Sequence, residues 1–110
     1  MNTTEQTKWY LISETHLFPE REGKRVHFKD YDIAVFNLGN GRFRAIDNTC
    51  PHKQGPLADG IVAGENVFCP LHALKIDLGS GCAVEANGKV RSYPVQVYNA
   101  KVYVAFDEGE

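Results

Sequence analysis

Hydrophobic and polar positions alternate in short runs along this chain, and turn residues separate the runs. Trp9-Tyr10-Leu11-Ile12 predicts a first strand. Arg25-Val26-His27-Phe28 and Asp32-Ile33-Ala34-Val35-Phe36 predict a hairpin turned at Lys29-Asp30-Tyr31. Asn40-Gly41 is a two-residue turn signal, since both residues tolerate positive φ, and it leads into Phe43-Arg44-Ala45-Ile46-Asp47. Gly60-Ile61-Val62 and Asn66-Val67-Phe68 read as short strands turned at Ala63-Gly64-Glu65, and Leu74-Lys75-Ile76-Asp77-Leu78 alternates until Gly79-Ser80-Gly81 breaks it. Pro94-Val95-Gln96-Val97-Tyr98 and Val102-Tyr103-Val104-Ala105-Phe106 form a closing hairpin. No segment keeps a helical period over three turns. The pattern predicts an all-β domain, an antiparallel β-sandwich or small barrel spanning 1–110, with a subdomain inserted at about 48–81.

Composition narrows the class without deciding it. The chain has 110 residues, of which 43% are hydrophobic and 24% charged, with a formal net charge of -2. This suits one modest core, gives no electrostatic case for nucleic acid, and leaves no room for a second catalytic domain. No run approaches the roughly 20 apolar residues of a membrane span. The polar start Met1-Asn2-Thr3-Thr4-Glu5 lacks a secretory apolar core. A cytoplasmic protein without a membrane partner is expected.

The chemistry is concentrated in two short pairs, Cys50-Pro51-His52 and Cys69-Pro70-Leu71-His72, separated by sixteen residues. Each pair offers one thiolate and one imidazole beside a proline that stiffens its loop. A [2Fe–2S] cluster with two cysteines on one iron and two histidines on the other needs this inventory. Two thiolates and two imidazoles would also satisfy tetrahedral zinc, although zinc sites usually group their ligands as Cys-x-x-Cys and His-x3–5-His. An empty, degenerate site is the other alternative, and the presence of all four candidates argues against it. Cys82 remains over, expected as a small half-buried side chain in a turn. His16 and His27 lie outside the loops and read as ordinary polar residues. Gly55-Pro56, Gly60, Gly79 and Gly81 surround the pairs and would turn the chain about them, or are generic surface turns; Leu57, Leu71 and Leu74 would shield the site from water, or are simply subdomain core.

The paired loops resemble those of the Rieske family. By that resemblance Cys50 and Cys69 ligate the inner iron and His52 and His72 the outer one, so Cys50, His52, Cys69 and His72 are the expected cofactor and metal ligands. High-potential members carry a further cysteine in each loop, joined as a disulfide, where this chain has Gly55 and Leu71. They also place serine and tyrosine hydroxyls where Leu74 and Ile76 stand here, which implies a low-potential centre.

Within the family, Arg44-Ala45-Ile46-Asp47-Asn48-Thr49-Cys50-Pro51-His52-Lys53-Gln54-Gly55-Pro56-Leu57 resembles the small subunit of assimilatory NAD(P)H nitrite reductase. So do Val67-Phe68-Cys69-Pro70-Leu71-His72, Lys75-Ile76-Asp77-Leu78 and Val90-Arg91-Ser92-Tyr93-Pro94-Val95-Gln96-Val97. The likeness covers roughly Gly23 to Phe106. Ala73 and Leu74 depart from it, standing where glycine and tryptophan are common. The resemblance implies an electron-transfer subunit, not catalytic alone, docked on a large subunit that carries FAD, a [4Fe–4S] cluster and sirohaem and reduces nitrite to ammonium in nitrate assimilation. A free-standing Rieske ferredoxin serving a ring-hydroxylating dioxygenase would share ligands and fold. A cluster-free docking subunit is the third possibility. A complete Rieske oxygenase is expected to need more chain than this.

Overall fold

The computed structural model describes residues 7–50, 55–70, 74–84 and 86–107. Among them ten strands form three antiparallel sheets. Strands β1 (Thr7–Glu14), β9 (Val95–Tyr98) and β10 (Lys101–Asp107) form one sheet in the order β1-β10-β9. Strands β2 (Glu22–Phe28), β3 (Tyr31–Gly39), β4 (Arg42–Asp47) and β8 (Ser92–Tyr93) form the second in that order. The inserted subdomain carries the third, β5 (Ile61–Ala63), β6 (Asn66–Phe68) and β7 (Lys75–Asp77).

The β3 run explains how these sheets stack. Successive side chains of a strand point to opposite faces, and every residue from Ile33 to Asn37 is buried. Ile33 and Val35 face Val102, Val104 and Phe106 in a first core between the two larger sheets. Ala34 and Phe36 face the other way, into a second core with Val62, Val67, Ile76 and Leu78 of the subdomain. A strand covered on both faces loses its alternation, which is why Ile33-Ala34-Val35-Phe36 reads as one continuous apolar run. Phe106 closes the first core, with the rings of Tyr10, Phe28, Tyr31 and Tyr93 at 4.2–5.9 Å between centroids.

The turns follow the local chemistry. Asn40 and Gly41 have φ of 57° and 75°, the two positive values that a tight hairpin between Gly39 and Arg42 requires. The β2–β3 turn is one residue shorter than expected, because Tyr31 already pairs with Phe28. In the same way β5 takes Ala63 into the strand, and the turn contracts to Gly64-Glu65. Two 3-10 turns, Thr15–Leu17 and Leu57–Asp59, and the two-residue strand β8 carry no periodic signal and were not expected. His16 lies in the first of them, an ion-pair distance from Glu14, and not in an irregular loop. No helix among the described residues is long and apolar enough to cross a membrane.

Candidate metal centre

Cys50 and Cys69 are 0% and 2% exposed and belong to the same buried core. They begin the two loops in equivalent ways. The N–H of Cys50 donates to the carbonyl of Gly55 at 2.9 Å, and that of Cys69 to the carbonyl of Leu74 at 2.8 Å. Each loop is thus closed from its cysteine to the residue five positions on, with a proline directly after the cysteine. Prolines there cannot compete as donors, so the cysteine N–H makes the closing bond. His52 and His72, with Leu71, lie outside the described residues. The structure thus brings together the cysteine half of the expected ligand set.

The two loops stand on different supports. The second is the end of the β6–β7 hairpin, where Phe68 pairs with Lys75 and Val67 with Ile76. Among the described residues the first has one bridge, Thr49 to Pro56, beside its Cys50–Gly55 bond, and is further tied by Asn48. The Asn48 carbonyl accepts from the Leu57 N–H at 2.6 Å, its side-chain oxygen accepts from the Ala58 N–H at 2.8 Å, and its N–H donates to the Asp32 carbonyl at 3.0 Å. Periodicity alone could not single out Asn48; its place two residues before Cys50, where a strand ends and a turn begins, is the signal that finds it.

Charged groups fix the base of the first loop. Arg25 grips the Asp32 carboxylate through two nitrogens, each at 2.9 Å. The hydrogen bond from Arg25 holds the Asp32 carboxyl below its ordinary value, against an opposing push from burial. Asp47 accepts the Tyr93 hydroxyl at 2.6 Å and the Arg91 N–H at 3.2 Å. Burial, and then that bond to Asp47, raises the Tyr93 phenol far above its ordinary value, so it stays a donor. Asp32, Asp47, Arg91 and Tyr93 line a surface cleft of about 570 Å³ that Cys50 also borders. Arg42 and Arg44 pair with Glu65, anchoring the β5–β6 turn of the subdomain to β4.

The donor set fits an iron–sulfur centre. Two soft sulfur donors lie in a water-shielded pocket among Leu57, Val62, Val67 and Ile76, with half-buried Leu74 packed against them. No disulfide links the three cysteines. Leu57 belongs to this core and Leu74 packs against it. Cys82 is exposed, not half-buried, because the bridge it forms with Lys89 lies at the edge of the subdomain. His27 stands on β2 within 3.4 Å of Asp32.

Comparison with known proteins agrees with this centre. Residues 8–99 match the model of the Rieske [2Fe-2S] domain. The chain is 34% identical over 99 residues to the 4beta-methylsterol monooxygenase of Methylococcus capsulatus, covering 80% of this chain and 27% of that one. It thus spans about a quarter of that relative. The ferredoxin component of the naphthalene 1,2-dioxygenase system of Pseudomonas aeruginosa is 27% identical, with 88% of this chain and 94% of that one covered. Among solved structures, a Mycobacterium tuberculosis protein assigned as an NADH-dependent nitrite reductase small subunit superposes with a TM-score of 0.84 at 23% identity, over 91% and 96% of the two chains. A match across most of the domain, together with two buried cysteines in paired loops, places the chain in the Rieske [2Fe-2S] family as an iron–sulfur electron-transfer protein.

Proposed function

We propose that this chain is the electron-transfer small subunit of an NAD(P)H-dependent nitrite reductase, with Cys50, His52, Cys69 and His72 holding its cluster. The observation that carries the ligand reading is the equivalence of the two loops, each closed from its buried cysteine to the residue five positions on. When bound, a Rieske cluster supplies reversible one-electron chemistry. The chain's own part is to hold two thiolates out of water, present two neutral imidazoles, and keep the loops rigid between partners. Support for the partner comes from the residues around the ligands, chiefly Arg44 to Leu57 and Val67 to Leu78, which resemble the nitrite reductase subunit. The large subunit would then supply FAD, [4Fe–4S] and sirohaem.

Leu74 and Ile76 are aliphatic and pack in and against the core around Cys50 and Cys69, so neither position offers a hydroxyl to the centre. A midpoint potential toward the low end of the Rieske range, about −150 mV rather than +300 mV, is the expected result. A second reading, the ferredoxin of a ring-hydroxylating dioxygenase system, is favoured by the likeness to the naphthalene dioxygenase ferredoxin component over most of both chains.

The deciding experiment starts from anaerobically purified protein. Two irons, two sulfides and a Rieske-type EPR signal after dithionite reduction are expected; zinc or no metal would overturn the ligand reading. Reconstitution with the nitrite reductase large subunit should then give NAD(P)H-dependent nitrite reduction that His72→Ala abolishes. Full assembly and unchanged turnover by a His72→Ala protein lacking its cluster would refute the relay and leave a docking role. Electron delivery to a dioxygenase component, with no effect on nitrite turnover, would establish the second reading.

A further inference from the structure

Asp32 and Asp47 are both half-buried and line the cleft that Cys50 borders, yet they are held by unlike partners. Asp32 is gripped by the Arg25 guanidinium through two nitrogens at 2.9 Å, so an opposite charge matches its own. Asp47 meets neutral donors instead. The Tyr93 hydroxyl donates to one carboxylate oxygen at 2.6 Å, and the Arg91 main-chain N–H donates to the other at 3.2 Å. Hydrogen bonds of this kind stabilise a carboxylate without cancelling its charge. The remaining charged side chains of the cleft, Asp30, Lys89 and Arg91, are exposed, where water and salt screen them.

The fold holds this pair still. Ala45 pairs with Tyr93 and Ile46 with Ser92, and the Asp47 N–H extends the ladder by donating to the Arg91 carbonyl at 2.9 Å. Tyr93 is 8% exposed, and its ring packs edge-on against Phe106 and Tyr31, with centroids at 5.3 and 5.9 Å. Packing of the ring thus fixes where the hydroxyl stands. Asp47 precedes Cys50 by three residues and shares the cleft with it.

A cluster gains one negative charge when it is reduced. A carboxylate fixed nearby opposes that step, and a donor that draws off part of its charge relieves the opposition. We propose that Asp47 and Tyr93 form a tuning pair for the metal centre, in which the carboxylate lowers the midpoint potential and the phenol hydroxyl limits how far. The inference rests on the assignment of Cys50 as a ligand. It gives the two residues effects of opposite sign. A purely structural pair would not separate them, because losing either partner breaks the same bond.

The test compares wild type, Asp47→Asn, Tyr93→Phe and Asp30→Asn after anaerobic purification, by iron and sulfide content, redox titration and thermal denaturation. Asp47→Asn keeps the shape and an acceptor for Tyr93, while it removes the charge and gives up the longer bond to Arg91. Its reduced-to-oxidised ratio at the wild-type midpoint is expected to rise about tenfold, roughly 59 mV for one electron. Tyr93→Phe should lower that ratio about threefold, since the carboxylate then keeps its full charge. Asp30→Asn, in water, should move it less than about twofold. Thermal denaturation should shift Asp47→Asn and Tyr93→Phe alike, to lower temperature, while the potential separates them. An unchanged or lowered ratio in Asp47→Asn, a shift as large in Asp30→Asn, or shifts of one sign in Asp47→Asn and Tyr93→Phe would overturn the proposal. If Asp47→Asn does not fold or load, Tyr93→Phe decides alone, and a ratio that does not fall overturns the proposal; loss of iron from both variants does so too. Wild-type protein without iron would instead overturn the assignment of Cys50.

Discussion

Gly60 marks the place where the supports of the two ligand loops meet. A Cβ there would stand 2.3 Å from the Phe68 carbonyl oxygen and 3.1 Å from that of Leu57, the residues flanking the second and first loops. Both obstacles are backbone, so neither can swing aside. Gly60→Ala is expected to cost about 1–3 kcal/mol, as overpacking of a tight site does, and to loosen the cluster. Urea denaturation with parallel iron analysis checks it. Asp32 gives a second test at this scale. Its carboxyl is held below its ordinary value chiefly by the Arg25 hydrogen bond, with His27 and Asn48 acting the same way and burial opposing. A group with a depressed folded value contributes stability above its unfolded value, and that contribution is lost as pH falls through the folded one. Wild type should therefore exceed Asp32→Asn in stability at neutral pH, and the gap should close below about pH 4. Denaturation midpoints across a pH series would show it, and a gap that widens on acidification would contradict it.

At the scale of elements, the hairpin turns differ in how well their residues suit them. Asn40-Gly41 takes its two positive φ values without strain. The β9–β10 turn demands the same of Asn99 and Ala100, at 55° and 62°, and alanine accepts that conformation poorly. Ala100→Gly is expected to gain about 0.5–1 kcal/mol, the relief of the left-handed backbone less the added freedom of the unfolded chain. Since this turn lies outside both buried cores, cluster content should not change. Thermal denaturation against wild type measures the gain.

For the molecule as a whole, two cores share one wall but not one function. The first, around Val102, Val104 and Phe106, contains no candidate ligand, while the second contains Cys50 and Cys69. Removal of the cluster by acid or chelator should therefore leave β10 protected from hydrogen exchange and expose Val67 and Ile76 to faster exchange. Mass spectrometry of exchange in the two forms tests this, and a uniform loss of protection would show that the sheets do not behave as separate units. The division also suits an electron carrier, since loops that meet partners are held by a base whose stability does not depend on them.

The amino-acid sequence by itself determined the strands and the ligand types. Local chemistry decides those: β-branched alternation for β3, β4 and β10, Asn-Gly for one hairpin, and two Cys/His pairs that offer sulfur and nitrogen donors. Short features without periodicity, the 3-10 turn Leu57–Asp59 and strand β8, left no such mark. Tertiary structure alone decided the rest, because it depends on residues distant in the chain. It made β3 a wall between two cores, tied the Asn48 main chain to Asp32 and its side chain to Ala58, and set Gly60 between Leu57 and Phe68. It also left Cys82 at an exposed edge while burying Cys50 and Cys69. Residue identity names the atoms a site can use; packing settles which of them are brought together and shielded from water.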